Sequence, residues 1–419
     1  MFLLHFLILL TCILNLTKPC AYLIKISLFQ PKIFKRKSNN RKIAIILDRV
    51  SGGGRRDIEI TNKFSKQVPN IFFLRRSIVK MIFYYFADKS NLLTKLIDVS
   101  KLNNRMKYFG LPLNKRNKLD AFWAGVIINL KKYYKNEDIS VVGFAYYYNT
   151  EFPLFVACKN NQVKVKLWNK ECFMSDPHVR QRTKLNEYKQ IFQFFDTIGV
   201  YNNFMKKMFI DMDKQNKNKI YVNGCPRLLD FIHKTKKQKK IKNILFLTFN
   251  SITGIPPIKK NLHLNWNMSH NKVIEILNEI YKNKNLNVII KRKNQNSYKS
   301  KIQINKNIKV FEGGTAEKYI NKSDIIIGHN SGSTIEALAN GKHVMVPFFE
   351  KSIKQKKFLY KFNQDIVYSS ERKLKKRIFQ LVGKKNIFPL ENRKNKKNVE
   401  YFLGSSKNVI NKCGRFLNS

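Results

Sequence analysis

The sequence predicts an α/β protein of two Rossmann-like domains facing a cleft, preceded by an apolar segment that associates with a membrane. Three observations carry this. Short apolar runs alternate with helix-like stretches along most of the chain, as in a parallel sheet covered on both faces. The alternation breaks at the charged stretch "HKTKKQKKIK" (233–242) and then begins again. Residues 324–349, "DIIIGHNSGSTIEALANGKHVMVPFF", read as strand, loop, helix and strand, a unit whose loop lies at the carboxyl edge of a sheet, where ligands bind.

In chain order, "MFLLHFLILLTCILNL" is apolar, is interrupted at Lys18-Pro19, and is followed by a basic run from Lys32 to Lys42. It lacks the charged n-region and A-x-A site of a signal peptide, and is short of the ~20 residues that span a bilayer core. Residues 1–40 are therefore expected to form a monotopic hairpin or interfacial anchor and basic linker, lying against anionic headgroups on the cytoplasmic side of the inner membrane. Removing residues 1–30 is expected to release a soluble protein. The first domain, 41–232, opens with the strand "KIAIIL" (42–47) and the loop "DRVSGGGRR", whose glycines do not match G-x-G-x-x-G. Strands follow at 70–74, 139–144 and 163–168, with a helix over 120–135. Residues 233–242 form the hinge. The second domain, 243–419, carries strands at 243–249, 286–291 and 307–314 and a helix over 270–283, then the 324–349 unit. Helices are expected over 371–382 and 399–417, with a break at Gly404.

A chain of 419 residues, 43% hydrophobic and 13% aromatic, suffices for two packed cores. With 81 basic and 27 acidic residues the net charge is +54. The excess is mostly lysine, spread along the chain with many Asn and Ile, as an AT-rich coding sequence produces. It suits phosphate-bearing substrates and acidic lipid headgroups, and no specific nucleic-acid partner is expected. The six cysteines include no C-x-x-C pair, and no H-E-x-x-H occurs, so neither a metal site nor a disulfide framework is readable.

The loop after Ile327 holds His329, Asn330, Ser331, Gly332, Ser333 and Thr334. Capping the following helix takes one hydroxyl. Three are present, and together with small residues and the positive end of a helix they make a site for an anion such as a phosphate.

Three stretches resemble the GT-B class of glycosyltransferases and its relatives, the nucleotide-sugar 2-epimerases and CDP-glycerol glycerophosphotransferases. "SDIIIGHNSGSTIEALANGKHVMVPF" is similar to their donor-binding segment. "KIYVNGCPRLLD" (219–230) is similar to the V-x-G-x-P-R-x-D segment of bacterial surface-carbohydrate biosynthesis proteins, and "VKLWNKECFMSDPHVR" (165–180) to their Lys-Glu segment. The resemblance spans residues 40–417. It implies that the loop meets a nucleotide diphosphate and that Glu336 meets the ribose diol, a good partner for a carboxylate. Glu336 could equally close a capping box with Ser333. Where relatives carry a Lys-x-His-Pro turn this chain has "IIKRKNQN" (289–296), leaving Lys291 and Arg292 to meet phosphate. Arg227 either pairs with Asp230 or reaches the cleft to hold phosphate, and Glu171 is either a general base or a surface partner of Lys170 or Arg180.

The function so implied is metal-independent transfer of a sugar or polyol phosphate to a surface polysaccharide, capsule, lipopolysaccharide or lipid-linked glycan. The donor is a nucleotide sugar or CDP-polyol acting as substrate, with no cofactor. A nucleotide-sugar 2-epimerase and a non-catalytic, basic membrane- or polyanion-binding protein are the alternatives.

Overall fold

The computed structural model describes residues 2–30, 41–48, 53–88, 108–135, 137–144, 149–169, 192–232, 241–248, 252–253, 264–265, 267–283, 286–292, 302–328, 332–349, 366–382, 393–405 and 407–419. Helices α1 (Phe2–Ile13) and α2 (Thr17–Ser27) form a hairpin. After it come β1 (Lys42–Asp48), α3 (Gly53–Phe64), β2 (Asn70–Arg75), α4 (Arg76–Ala87), α5 (Leu113–Tyr133), β3 (Asp138–Gly143), α6 (Phe152–Asn160) and β4 (Lys164–Trp168). This half closes with β5 (Thr197–Val200), α7 (Asn203–Met212), β6 (Ile220–Val222) and α8 (Arg227–Ile232). The second half runs β7 (Asn243–Leu247), a small antiparallel pair β8 (Ile252–Thr253) and β9 (Leu264–Asn265), α9 (Asn267–Asn283), β10 (Asn287–Lys291) and β11 (Lys309–Phe311). It continues with α10 (Glu317–Lys322), β12 (Ile325–Gly328), α11 (Gly332–Ala339), β13 (His343–Pro347), β14 (Val367–Tyr368), α12 (Glu371–Val382), α13 (Arg393–Leu403) and α14 (Val409–Asn418).

Two six-stranded sheets result, ordered β2-β1-β3-β4-β5-β6 and β11-β10-β7-β12-β13-β14. Every strand pair within them is parallel. The inner strands β1, β12 and β13 are buried over nearly their whole length, as parallel strands covered on both faces must be, while the edge strand β11 is exposed. Chain direction along the sheet reverses between β1 and β3 in the first and between β7 and β12 in the second. These are the switch points where crossovers leave by opposite faces and open a crevice at the carboxyl edge.

The N-terminal hairpin departs from expectation. Ile8, Leu9, Cys12, Cys20, Ala21 and Ile24 are buried in the same apolar cluster as Ile78, Met81 and Ile82 of α4 and Phe122, Trp123 and Val126 of α5. Its exit is tied down too, since Phe29 and Phe73 of β2 exchange backbone hydrogen bonds of 2.9 and 3.2 Å. The hairpin thus packs into the first unit's core, which argues against the expectation that removing residues 1–30 releases a soluble protein. Among the described residues no helix is long and apolar enough to cross a membrane.

At the other end the chain returns to its beginning. Val409, Cys413, Phe416 and Leu417 of α14 pack with Ile46, Phe73 and Trp168 against the first sheet. The turn before it depends on Gly404, at φ +80°, where a Cβ would collide with the carbonyl oxygen of Tyr201. Lys166, buried on β4, donates to the carbonyls of Phe416 and Leu417 at 3.3 and 2.7 Å, satisfying acceptors that a helix end leaves open. Lys42 does the same for Asn418 at 2.9 Å.

Candidate active site

At the second switch point, Lys291 of β10 and Gly328 of β12 both stand in register with Leu247 of β7. Three strand ends are therefore level, the outer two about 10 Å apart at ordinary strand spacing. Lys291 is buried, and its Nζ donates to the carbonyl of Arg292 at 2.6 Å. Burial lowers its pKa, with Glu312 acting against the shift. Arg292 pairs with Glu312 at 2.7 Å.

The loop joining Gly328 to α11 contains His329, Asn330 and Ser331, which lie outside the described residues. Helix α11 starts at Gly332, where nothing among the described residues stands within 4 Å of the position a Cβ would take, which leaves room there for a ligand to approach the backbone. Thr334 is buried: a Cβ on Gly328 would lie 2.9 Å from its Oγ1, so the glycine lets the helix's first turn close onto the strand. Ser333 already lies inside that turn and Glu336 two residues past the third helical position, so the two do not form the capping box. The helix ends at Gly341, φ +68°, with Gly341 N–H on Leu338 O and Lys342 N–H on Ala337 O, both at 3.1 Å, a Schellman closure.

Glu336 is held from the other half of the molecule. Arg227, at the start of α8, donates through Nη1 to Glu336 Oε1 at 2.6 Å and through Nε to Asp57 Oδ1 at 2.8 Å. Its Nη2 reaches the hydroxyl of Tyr201 at 3.2 Å, and that hydroxyl donates to Asp57 Oδ2. Burial alone would lower the pKa of Arg227, but Asp57 and Glu336 outweigh it and raise the pKa, so the guanidinium stays charged. Arg227 thus reaches across to the second half and is anchored by Asp57, a partner 170 residues away in sequence. Asp57 is 0% exposed, so this carboxylate depends wholly on its partners.

The first switch point offers a second acid. Asp48 ends β1, is 3% exposed, and has Oδ1 without a hydrogen-bond partner among the described residues while Oδ2 lies 3.3 Å from Arg55 Nη1. Burial raises its pKa, and Arg55 and Arg75 pull it back. The three residues that open the body of α3 divide their contacts. Arg55 meets Asp48, Arg56 pairs with Glu317 of α10, and Asp57 takes Arg227. Sequence reasoning missed Asp48, although an aspartate closing an apolar strand just before a glycine-rich loop was a visible signal. It also missed Asp57 and Tyr201, which no local pattern marks. Glu171, with Lys170 and Arg180, lies outside the described residues.

No family model matches the chain, and no curated protein matches it. Among solved structures, the UDP-GlcNAc 2-epimerase of Methanocaldococcus jannaschii is similar at 13% identity, TM-score 0.50, over 90% of this chain and 100% of that one. An α,α-trehalose 6-phosphate synthase of Burkholderia multivorans is 9% identical, TM-score 0.47, over 90% and 98%. A UDP-forming trehalose-phosphate synthase of Burkholderia xenovorans is 10% identical, TM-score 0.45, over 91% and 99%. With two parallel, Rossmann-like sheets in the arrangement of the Methanocaldococcus enzyme, the chain has the GT-B fold.

Proposed function

We propose that the chain is an enzyme acting on a nucleotide-activated donor, transferring a sugar or polyol phosphate to a surface glycan or lipid-linked glycan acceptor. The observation that carries this is the second switch point, where the end of β12 is level with a buried lysine and the helix that follows, α11, starts at an open glycine and carries a carboxylate positioned by the other half of the molecule. The named activity of the similar Methanocaldococcus structure, a UDP-GlcNAc 2-epimerase, supports a nucleotide-sugar donor.

In this reading the backbone N–H groups that begin α11, with Ser331 and Ser333, hold the donor diphosphate, flanked by His329, Asn330 and Thr334. Lys291 adds positive charge at the same edge. As the bond to the donor breaks, charge grows on the leaving group, the nucleoside diphosphate of a nucleotide sugar or the CMP of a CDP-polyol, and meets fixed dipoles and a cation, which stabilises the transition state with no metal required. Arg227 fixes Glu336 through Oε1 so that the carboxylate can accept from the ribose diol. The acceptor hydroxyl gives its proton to a carboxylate of the first half, Glu171 or Asp48.

The test is release of nucleoside diphosphate from a panel of UDP-, CDP- and GDP-activated sugars, and of CMP from CDP-polyols, each supplied with membrane extract as acceptor. Acceptor-dependent release, lowered about 100-fold or more by Glu171→Gln or by Asp48→Asn, is expected. Interconversion of a nucleotide sugar without acceptor would make the chain an epimerase instead. Turnover of none of these donors would reject the enzymatic reading.

A further inference from the structure

Helix α1 has two unlike sides. Leu9 and Cys12 are buried with Ile8 against the first unit, and His5 Nε2 lies 3.1 Å from Ser77 Oγ of α4. Phe2, Phe6, Leu10 and Ile13, spaced four, four and three residues apart, are 60%, 49%, 40% and 55% exposed. That spacing puts them in one stripe, opposite the docked side. Leu3 extends the stripe, and Leu14 and Leu16 continue it through the turn into α2, all three exposed. Exposed large apolar side chains are common singly, but a contiguous stripe marks a surface that something else covers.

Charge identifies the occupant. The first 47 residues contain no Asp or Glu and eight Lys or Arg, among them Lys18, exposed directly after the apolar turn, and Lys25 on α2. A second copy of the chain would bring an identical basic surface to the same place, and each copy carries +54. Like charges would be pressed together around the contact. An anionic leaflet answers both features, with acyl chains for the stripe and headgroups for its basic margin. Twelve residues of helix measure about 18 Å, well short of the ~30 Å of a hydrocarbon core, so α1 lies along the interface.

We propose that the outer face of α1 and the turn after it form a rigid docking surface for an anionic bilayer, built into the fold. It differs from a flexible anchor in that the opposite face of the same helix belongs to the protein core. Through Phe29, bridged to Phe73 near the end of β2, the docked face is joined to the edge strand whose last residue, Arg75, stands in register with Asp48. The bilayer and the carboxyl edge of the first sheet are thereby held in one fixed relation. This proposal stands independently of the reaction.

The test is vesicle flotation of the full chain with phosphatidylcholine alone and with phosphatidylcholine mixed with phosphatidylglycerol, alongside molar-mass measurement in solution. Wild type is expected to float with the anionic vesicles about tenfold or more better than with neutral ones. Phe6→Glu with Leu10→Glu should lower that binding about tenfold or more at unchanged melting temperature, because both side chains point away from the core. Phe6→Ser with Leu10→Ser serves the same purpose without added charge. Wild type that stays at the bottom of the gradient, or both double variants floating as wild type does, would overturn the proposal. So would a stable wild-type dimer that the substitutions dissociate, since the face would then belong to a second copy.

Discussion

Arg227 joins three groups that lie far apart in sequence, and its removal exposes how much each relies on it. Arg227→Met leaves Asp57 buried without its cation and frees Glu336, and should cost about 3–5 kcal/mol in urea unfolding. Arg227→Lys should recover little, because a point ammonium cannot reach Asp57, Tyr201 and Glu336 together as the guanidinium fork does. Glu336→Gln tests the other end. It should weaken nucleoside-diphosphate binding about tenfold, from a loss of ~1–2 kcal/mol at a charged acceptor, and lower the melting temperature through the lost pair with Arg227. The two effects separate with a 2′,3′-dideoxy analogue: wild type should bind it more weakly than the parent nucleotide, and the variant should not discriminate. If wild type binds both equally, Glu336 serves only to join the halves. At this scale the sequence singled out Arg227 and Glu336 but not the contact between them. Side chains 109 residues apart meet only through the fold.

Elements were legible where a local rule sets them. The strands read at 42–47, 70–74, 139–144, 243–249 and 325–327 are runs rich in β-branched and aromatic residues and overlap β1, β2, β3, β7 and β12, and the break at Gly404 follows from a left-handed turn. Strands β5 and β6 were not identified as such, because four and three residues give periodicity too little length, and α7 passed unnoticed although Asn202 caps it, accepting from Met205 N–H at 2.7 Å. The N-terminal hairpin was read for its hydrophobicity, which does not distinguish lipid from core. Deleting residues 1–30 uncovers the apolar sides of α4 and α5. Each large aliphatic side chain returned to water there costs roughly 1.5–3 kcal/mol, and the product should aggregate or melt without cooperativity. A truncated chain that stays monomeric with a sharp transition would restore the detachable anchor. The seam between β4 and α14 responds to pH. Burial, then the neighbouring Lys164 and Lys42, lower the pKa of Lys166 to about 7 from 10.5. The unfolded chain therefore binds the extra proton between those values, and stability should climb with pH from about 7 to about 10, by at most about 1.4 kcal/mol per unit. The penalty is complete below pH 7. Lys166→Met should flatten that slope in unfolding titrations.

Across the whole molecule, two parallel sheets could be anticipated because alternation of strand and helix, broken once by a lysine-rich stretch, is a long-range pattern written locally. The return of the last helix to the first sheet was not, since α14 is an amphipathic helix like any other and its partners precede it by hundreds of residues. That return bears on how the protein is made. The bonds from Lys166 to Phe416 and Leu417 span 250 and 251 residues, so the half synthesised first lacks one wall until α14 has left the ribosome. A ribosome-bound chain arrested before residue 409 should keep Trp168 and Ile46 open to protease while the second half, already emerged, folds beside it. Loop closure over such a distance is slow, and the exposed sheet is open to aggregation meanwhile. A chaperone that binds apolar strands is expected to hold this nascent chain until the ten residues of α14 emerge, and the docking of that helix becomes the step that commits the first half to its native state.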